Sequence, residues 1–203
     1  MIKDLITKSR SYRRFFQEVA IDRRILRELV DLARLSPSAA NLQPLKYILS
    51  CEPKKNALIF QHLGWAGYLK DWPGPAEGER PSAYIIILGD TEIDPAIHCG
   101  ANRLTPPLLW RGCDHGIAAQ SILLGAAERG LGGCIIGTVK REELRRALAL
   151  PARYEILLVL ALGKPKETVV IEPVGTGGDI KYWRDNQGVH HVPKRSLDSI
   201  VIG

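Results

Sequence analysis

The chain contains no apolar run of eighteen residues, which excludes a membrane-crossing helix at the level of sequence. It has no internal repeat, no low-complexity tract and no composition break that reads as a linker. The glycine-rich loop with lysine that cradles nucleotide phosphates is missing. So are a dinucleotide fingerprint after a strand and a GxSxG turn carrying a nucleophilic serine. The opening MIKDLITKSRS carries charges where a secretion signal needs an apolar stretch, so a cytoplasmic protein is expected, with its four cysteines reduced. What remains is a chain of 203 residues, 45% hydrophobic and 25% charged, long enough for one domain with a real core.

A net charge of +6 points toward anionic partners. Much of the excess sits in SRSYRR, DRR and PKR rather than along one face. A nucleic-acid binder favours a broad basic stripe, whereas a single phosphate needs only a few cations. Charge by itself leaves both readings open.

Asp114 to Gly137 organises the rest. Gly116 to Arg129 reads as a helix with only Gln120, Ser121, Glu128 and Arg129 breaking its apolar surface, so protein is expected to cover it nearly all round. Asp114 is placed to cap its start and Gly130 to end it. Cys134 to Gly137 then suits a buried strand whose terminal glycine admits another backbone or a flat ligand. Helices are also expected over 2–9, over Asp22–Leu35 with Asp22 as cap, over Lys54–His62 and over Arg141–Leu148. Strands are expected over Lys46–Cys51, Ala83–Leu88 and Tyr154–Leu162. The aromatic stretch 64–81 reads as a long loop, residues 90–113 are irregular, and the chain beyond Lys166 is polar and extended up to an apolar tail. The pattern is a single α+β domain.

Side chains able to do chemistry are few. Cys99 with His98, and Cys113 with His115, match no standard zinc spacing, and no metal is expected. Cys134 is either a nucleophile or an inert buried thiol, and its apolar neighbours favour the second. His190 and His191 are either acid–base groups or incidental surface histidines. Arg10, Ser11 and Arg13 bring guanidinium and hydroxyl donors within a few residues, and Lys194-Arg195-Ser196 repeats that composition near the other end; they are either solvated surface charge or a phosphate clamp, and the serines among them favour the clamp. Pro37, Ser38, Asn41 and Gln43 lie in a proline-fixed segment, either as a helix-ending turn or as polar contacts to a flat heterocycle.

The succession SRSYRRF, SPSAANLQP, GLGGCIIG, YEILLVLALGKP and PKRSLDSIV resembles the nitroreductase family of flavin-dependent oxidoreductases over nearly the whole chain. The resemblance implies an α+β, nitroreductase-like FMN-binding fold. It has a central, mainly antiparallel sheet flanked by helices, and residues 166–203 form an extension that embraces the partner subunit of a homodimer. It implies FMN as cofactor and NADH or NADPH as donor. A small electron-poor molecule, such as a nitroaromatic or a quinone, is the acceptor, and no nucleic acid or membrane is a partner. A non-redox, flavin-storing role is the alternative, and a basic nucleic-acid binder the more distant one. By the same resemblance Arg10, Ser11, Arg13, Lys194 and Arg195 hold the phosphate. Pro37, Ser38, Asn41 and Gln43 contact the ring or ribityl chain, Ile135 and Ile136 pack beside the ring, and the Gly137 backbone N–H faces flavin N5. No catalytic side chain beyond the flavin is implied. Leu45 and Ile135 stand where relatives often carry aromatics, which points to altered acceptor preference. The segments 64–75 and 91–113 are the places to look for its determinants.

Overall fold

The computed structural model describes residues 1–69, 71–93 and 113–203. Its first element, α1 (Ile2–Lys8), leads to a two-residue strand β1 (Phe15–Phe16) and then to α2 (Arg23–Arg34). The Asp22 carboxylate accepts the Arg24 backbone N–H, capping α2 as its sequence position implies. Then come β2 (Leu45–Ser50), α3 (Pro53–Phe60), β3 (Ala83–Asp90), α4 (Asp114–Glu128), β4 (Gly132–Ile136) and α5 (Arg141–Ala147). The chain closes with β5 (Tyr154–Pro165), β6 (Val169–Pro173), β7 (Trp183–Arg184) and β8 (His190–Lys194).

The main sheet is antiparallel throughout its ladders. The long strand β5 pairs with β3 on one edge and with β4 on the other, while β2 adds to β3 and β1 to the end of β5. Every residue of β3 is buried because helices cover both faces of the sheet. Ile85 and Ile87 turn toward α2 and α4, packing with Leu26, Leu29, Ile122 and Ala126. Tyr84, Ile86 and Leu88 turn the other way, into a second cluster with Ile59, Leu144 and Cys134. This two-sided burial is why β3 and β5 are nearly continuous apolar runs rather than alternating ones.

Several expectations are revised. Asp114 is the first residue of α4 rather than its cap; its carboxylate is drawn sideways to Ser38 and Ala39. The strand expected over Cys134–Gly137 begins earlier, at Gly132, where β5 pairs with it. Gly130, at φ +67°, does end α4, and the Leu131 N–H returns to the Ala126 carbonyl. The helix is not covered all round: Ile117 and Gln120 stay open in the single chain. The tail beyond Lys166 is not merely extended. There β8 pairs parallel with β6 and antiparallel with β7, forming a separate three-stranded sheet. No described helix is long and apolar enough to cross a membrane.

Candidate functional site

Two glycines bring the ends of the chain together. Ser11 bridges to Gly133, and the Tyr12 N–H donates to the Gly133 carbonyl at 3.0 Å. A Cβ on Gly132 would lie 2.5 Å from the Tyr12 ring and 2.7 Å from Pro165. Only a residue without a side chain lets the SRSYRR segment lie against β4.

Glu167, its side chain fully buried, then ties that segment to the C-terminal sheet. One carboxylate oxygen accepts the backbone N–H groups of Arg13 and Arg14, and the other accepts from the Arg184 guanidinium at 3.0 Å. Arg14 pairs with Glu79, which also meets Lys166. The Arg14 bonds, joined by those of Lys166, hold the Glu79 carboxyl down at about 2. Arg14 and Arg184 are thus neutralised inside the protein, which weakens the reading of the terminal arginines as a nucleic-acid face.

The result is a cavity of about 280 Å³ lined by Ser9, Arg10, Ser11 and Arg13 from one end of the chain and by Tyr182, His190, Val192 and Lys194 from the other. Gln120 and Leu123 of α4 and Ile135 of β4 complete it. Ile135 is 39% exposed, a large apolar side chain at the cavity wall. Ile136 points into the core on the opposite face. Beyond it, Gly137 has open space where a Cβ would stand. Cys134 is buried, and that burial pushes its thiol up, as an inert core cysteine requires.

Arg13 is not a free cation. It is 8% exposed; its Nη1 donates to the Ser11 carbonyl at 3.2 Å and meets His190 Nε2 at 2.9 Å, and the guanidinium lies over the Tyr182 ring. Because arginine only donates, His190 Nε2 must accept, which places the histidine proton on Nδ1. That Nδ1 is buried without a partner, as is Arg10 Nε. His190 is therefore not the incidental surface residue its sequence position suggests; it is fully buried against Arg13, which lies far away in sequence. A cavity with two orphaned N–H donors, the Lys194 ammonium and serine hydroxyls fits an anionic group such as a phosphate monoester.

His190 also sets a pH dependence. Burial first, then the charges of Arg13, Arg184 and His191, hold it down to about 4. An unfolded histidine titrates near 6.5, so the unfolded chain takes up this proton first and stability falls as pH drops through 6.5 toward 4. The expected loss is about 2 kcal/mol, read as a falling urea midpoint between pH 7 and pH 5 that flattens in His190→Gln. Glu79 loses its contribution only at lower pH. His191 is raised, since burial, which lowers it, is outweighed by Asp185 and Glu172 together, and its contribution is present below its ordinary value and lost as pH rises through the raised one.

Of the other expected site residues, Arg195 lines a neighbouring groove with Glu172, Ser196 and Ser199, and only Lys194 borders both. Pro37, Ser38 and Gln43 line a separate cavity of about 150 Å³ with Tyr47, Asp114 and Ala118. There Ser38 Oγ donates to Asp114 and accepts the Gln43 N–H at 3.0 Å, while the Gln43 amide donates to Asn41 Oδ1. Burial, helped by Asp114, pushes the Tyr47 hydroxyl up to about 12. Ala40, Asn41 and Gln43 all hold positive φ, a strained run stabilised by these bonds. Cys99, His98 and most of 91–113 lie outside the described residues; among the described ones no three potential ligands cluster for a metal. Sequence reading missed Glu167, Tyr182 and the buried His190. The one available signal was a lone acidic residue in a basic stretch.

A model of the Nitroreductase family matches residues 6–71 and 109–164. The 4-nitrobenzoate reductase of Pseudomonas putida is 40% identical over 200 residues, covering 83% of this chain and 87% of that protein. The NADPH-flavin oxidoreductase of Vibrio harveyi is 25% identical over 177 residues, covering 84% of this chain and 68% of that protein. The crystal structure of a nitroreductase family protein from Streptococcus pneumoniae superposes with a TM-score of 0.69 over the whole of both chains, at 19% identity.

Proposed function

The chain belongs to the nitroreductase family, and from that membership we propose that it is an FMN-dependent oxidoreductase carrying reducing equivalents from NADH or NADPH to a small electron-poor acceptor, a nitroaromatic or a quinone. The observation that carries this is the convergence of Ser9, Arg10 and Ser11 with Lys194 around the orphaned Arg10 Nε and His190 Nδ1. In this reading these groups hold the phosphate, with Arg13 behind them and Arg195 at the outer edge. Ile135 packs beside the ring, and Gly137 offers its N–H to N5. When bound, the flavin supplies the centre that takes and gives up the hydride equivalent; the protein binds, orients and excludes water.

Asp114 and Ala118 line the Ser38 cavity, while Gln120 and Leu123 line the phosphate cavity. At about 100° per residue these pairs lie on roughly opposite sides of α4, so the helix stands between the two cavities. Pro37, Ser38, Asn41 and Gln43 therefore reach a flavin from the partner subunit of the homodimer that the family resemblance implies. The open α4 face at Ile117 and the exposed tail at Ile200, Val201 and Ile202 supply apolar surface for that pairing. Deleting Ser196 to Gly203 is expected to convert the dimer to monomer and to empty the flavin site, measured by light scattering and by the ratio of flavin to protein absorbance.

The test of function is the visible spectrum. The purified protein is expected to be yellow, to bleach anaerobically with NADH or NADPH, and to regain colour on adding 4-nitrobenzoate or a benzoquinone. Colour that never bleaches would favour flavin storage. A colourless protein that FMN does not reconstitute would end the proposal.

A further inference from the structure

On the other face of the sheet, between the β1–α2 connection, α3 and the segment entering β3, lies a cavity of about 300 Å³. This is the lower end of the range for small-molecule sites. Three polar atoms there are buried without a partner: Arg80 Nε, Ser82 Oγ and Tyr84 Oη. Ser82 is 8% exposed and Tyr84 is 1% exposed. Their neighbour Asn56 does not satisfy them, since its amide donates to the Ser82 carbonyl and its oxygen accepts from Ser50, both at 2.7 Å. The Arg80 guanidinium lies 4.4 Å above the Phe60 ring, and no carboxylate pairs with it among the described residues. Burial pushes the Tyr84 hydroxyl up, against the pull of Arg80, so it remains an O–H donor.

The rest of the wall sets apolar Pro53, Ala57 and Phe60 beside two polar residues, exposed Glu18 and Gln17, whose Oε1 already accepts the Gly78 and Arg80 backbone N–H groups. One unpaired cation and two hydroxyl donors beside an aromatic face match a single carboxylate on a flat apolar body. A phosphate dianion is a poorer fit, because exposed Glu18 adds negative charge to the lining and the donors are too few. We propose that this cavity is a second binding site, for a small aromatic monocarboxylate held by Arg80, Ser82 and Tyr84, with its ring along Pro53 and Ala57 and beside a Phe60 already stacked by Arg80 and packed by Trp65. Tyr84 belongs to the cluster facing α3 and α5, whereas Leu123 of the phosphate cavity belongs to the cluster facing α2 and α4. The sheet separates the two sites, and this assignment does not depend on the flavin reading.

The probe is 4-iodobenzoate, titrated calorimetrically into the full-length protein and located in a crystal by the anomalous signal of its iodine. One molecule per chain is expected beside Phe60. Arg80→Gln should weaken binding about tenfold or more while leaving the flavin absorbance unchanged. Lys194→Ala should leave 4-iodobenzoate affinity unchanged. Tyr84→Phe should weaken binding several-fold without lowering the urea midpoint of the ligand-free protein, because the lost hydroxyl had no partner. Iodine found only beside Ile135, ordered water alone on Ser82 and Tyr84 at millimolar probe, or a lowered midpoint in ligand-free Tyr84→Phe would overturn the assignment.

Discussion

Arg13→Ala is expected to destabilise the ligand-free protein by about 3 kcal/mol and to abolish FMN retention at micromolar flavin. Sequence reasoning alone predicts loss of flavin without loss of the fold. The geometry adds the second effect. The guanidinium is 8% exposed, bonded to the Ser11 carbonyl and to His190 Nε2, and stacked over Tyr182. Truncation removes those contacts, opens a void and leaves both nitrogens of a fully buried imidazole without partners. Urea unfolding of the apoprotein measures the first effect, and flavin fluorescence titration measures the second. Lys194→Ala separates them. Lys194 is exposed, so its removal should leave the urea midpoint in place while weakening FMN about tenfold or more, as loss of one charged phosphate contact does. Equal urea midpoints for Arg13→Ala and the parent protein would mean that the Arg13–His190 contact contributes nothing to the fold.

How legible the protein is from sequence follows from where each element finds its partners. Strands β3 and β5 announce themselves because both of their faces are buried, and α2 because its apolar residues recur at helical spacing behind a capping aspartate. The C-terminal sheet does not. VVIEP, WR and HHVPK are short, half-exposed and interrupted by Pro173 and Pro193, so no period emerges. Pro193 is tolerated because β7 pairs only with His190 and His191, leaving one side of β8 unpaired beyond them. The convergence of the termini was readable as composition, arginine and serine at one end and lysine and arginine at the other. Which cation borders the phosphate cavity was not, since Lys194, the last residue of β8, and Arg195, just past its end, are adjacent and alike in sequence. His190 was hidden for a related reason. Its burial depends on Arg13, at the other end of the chain, to which no local pattern connects it.

The glycines of GLGGCIIG separate folding from binding more sharply than any charged residue. A methyl on Gly132 would stand 2.5 Å from Tyr12 and 2.7 Å from Pro165. Neither obstacle is the loose end of a flexible chain: one is an aromatic ring held against β4, the other a pyrrolidine ring at the end of β5. Gly132→Ala is therefore expected to cost about 2 kcal/mol of stability and to push Tyr12, and Ser11 with it, away from the cavity. Flavin affinity should fall with it. Gly137 meets nothing within 4 Å and does not hold a positive φ, so an alanine there should change stability by less than about 0.5 kcal/mol, toward a slight gain. In the proposed complex that open space is where the flavin ring lies against the backbone, and the same methyl should weaken FMN about tenfold or more. Two substitutions of one chemical kind, five residues apart, should thus both weaken flavin binding, Gly132→Ala with a fallen urea midpoint and Gly137→Ala with the midpoint held. Unchanged FMN affinity in Gly137→Ala would remove the ring from that position, even if the phosphate contacts at Arg10 and Lys194 held.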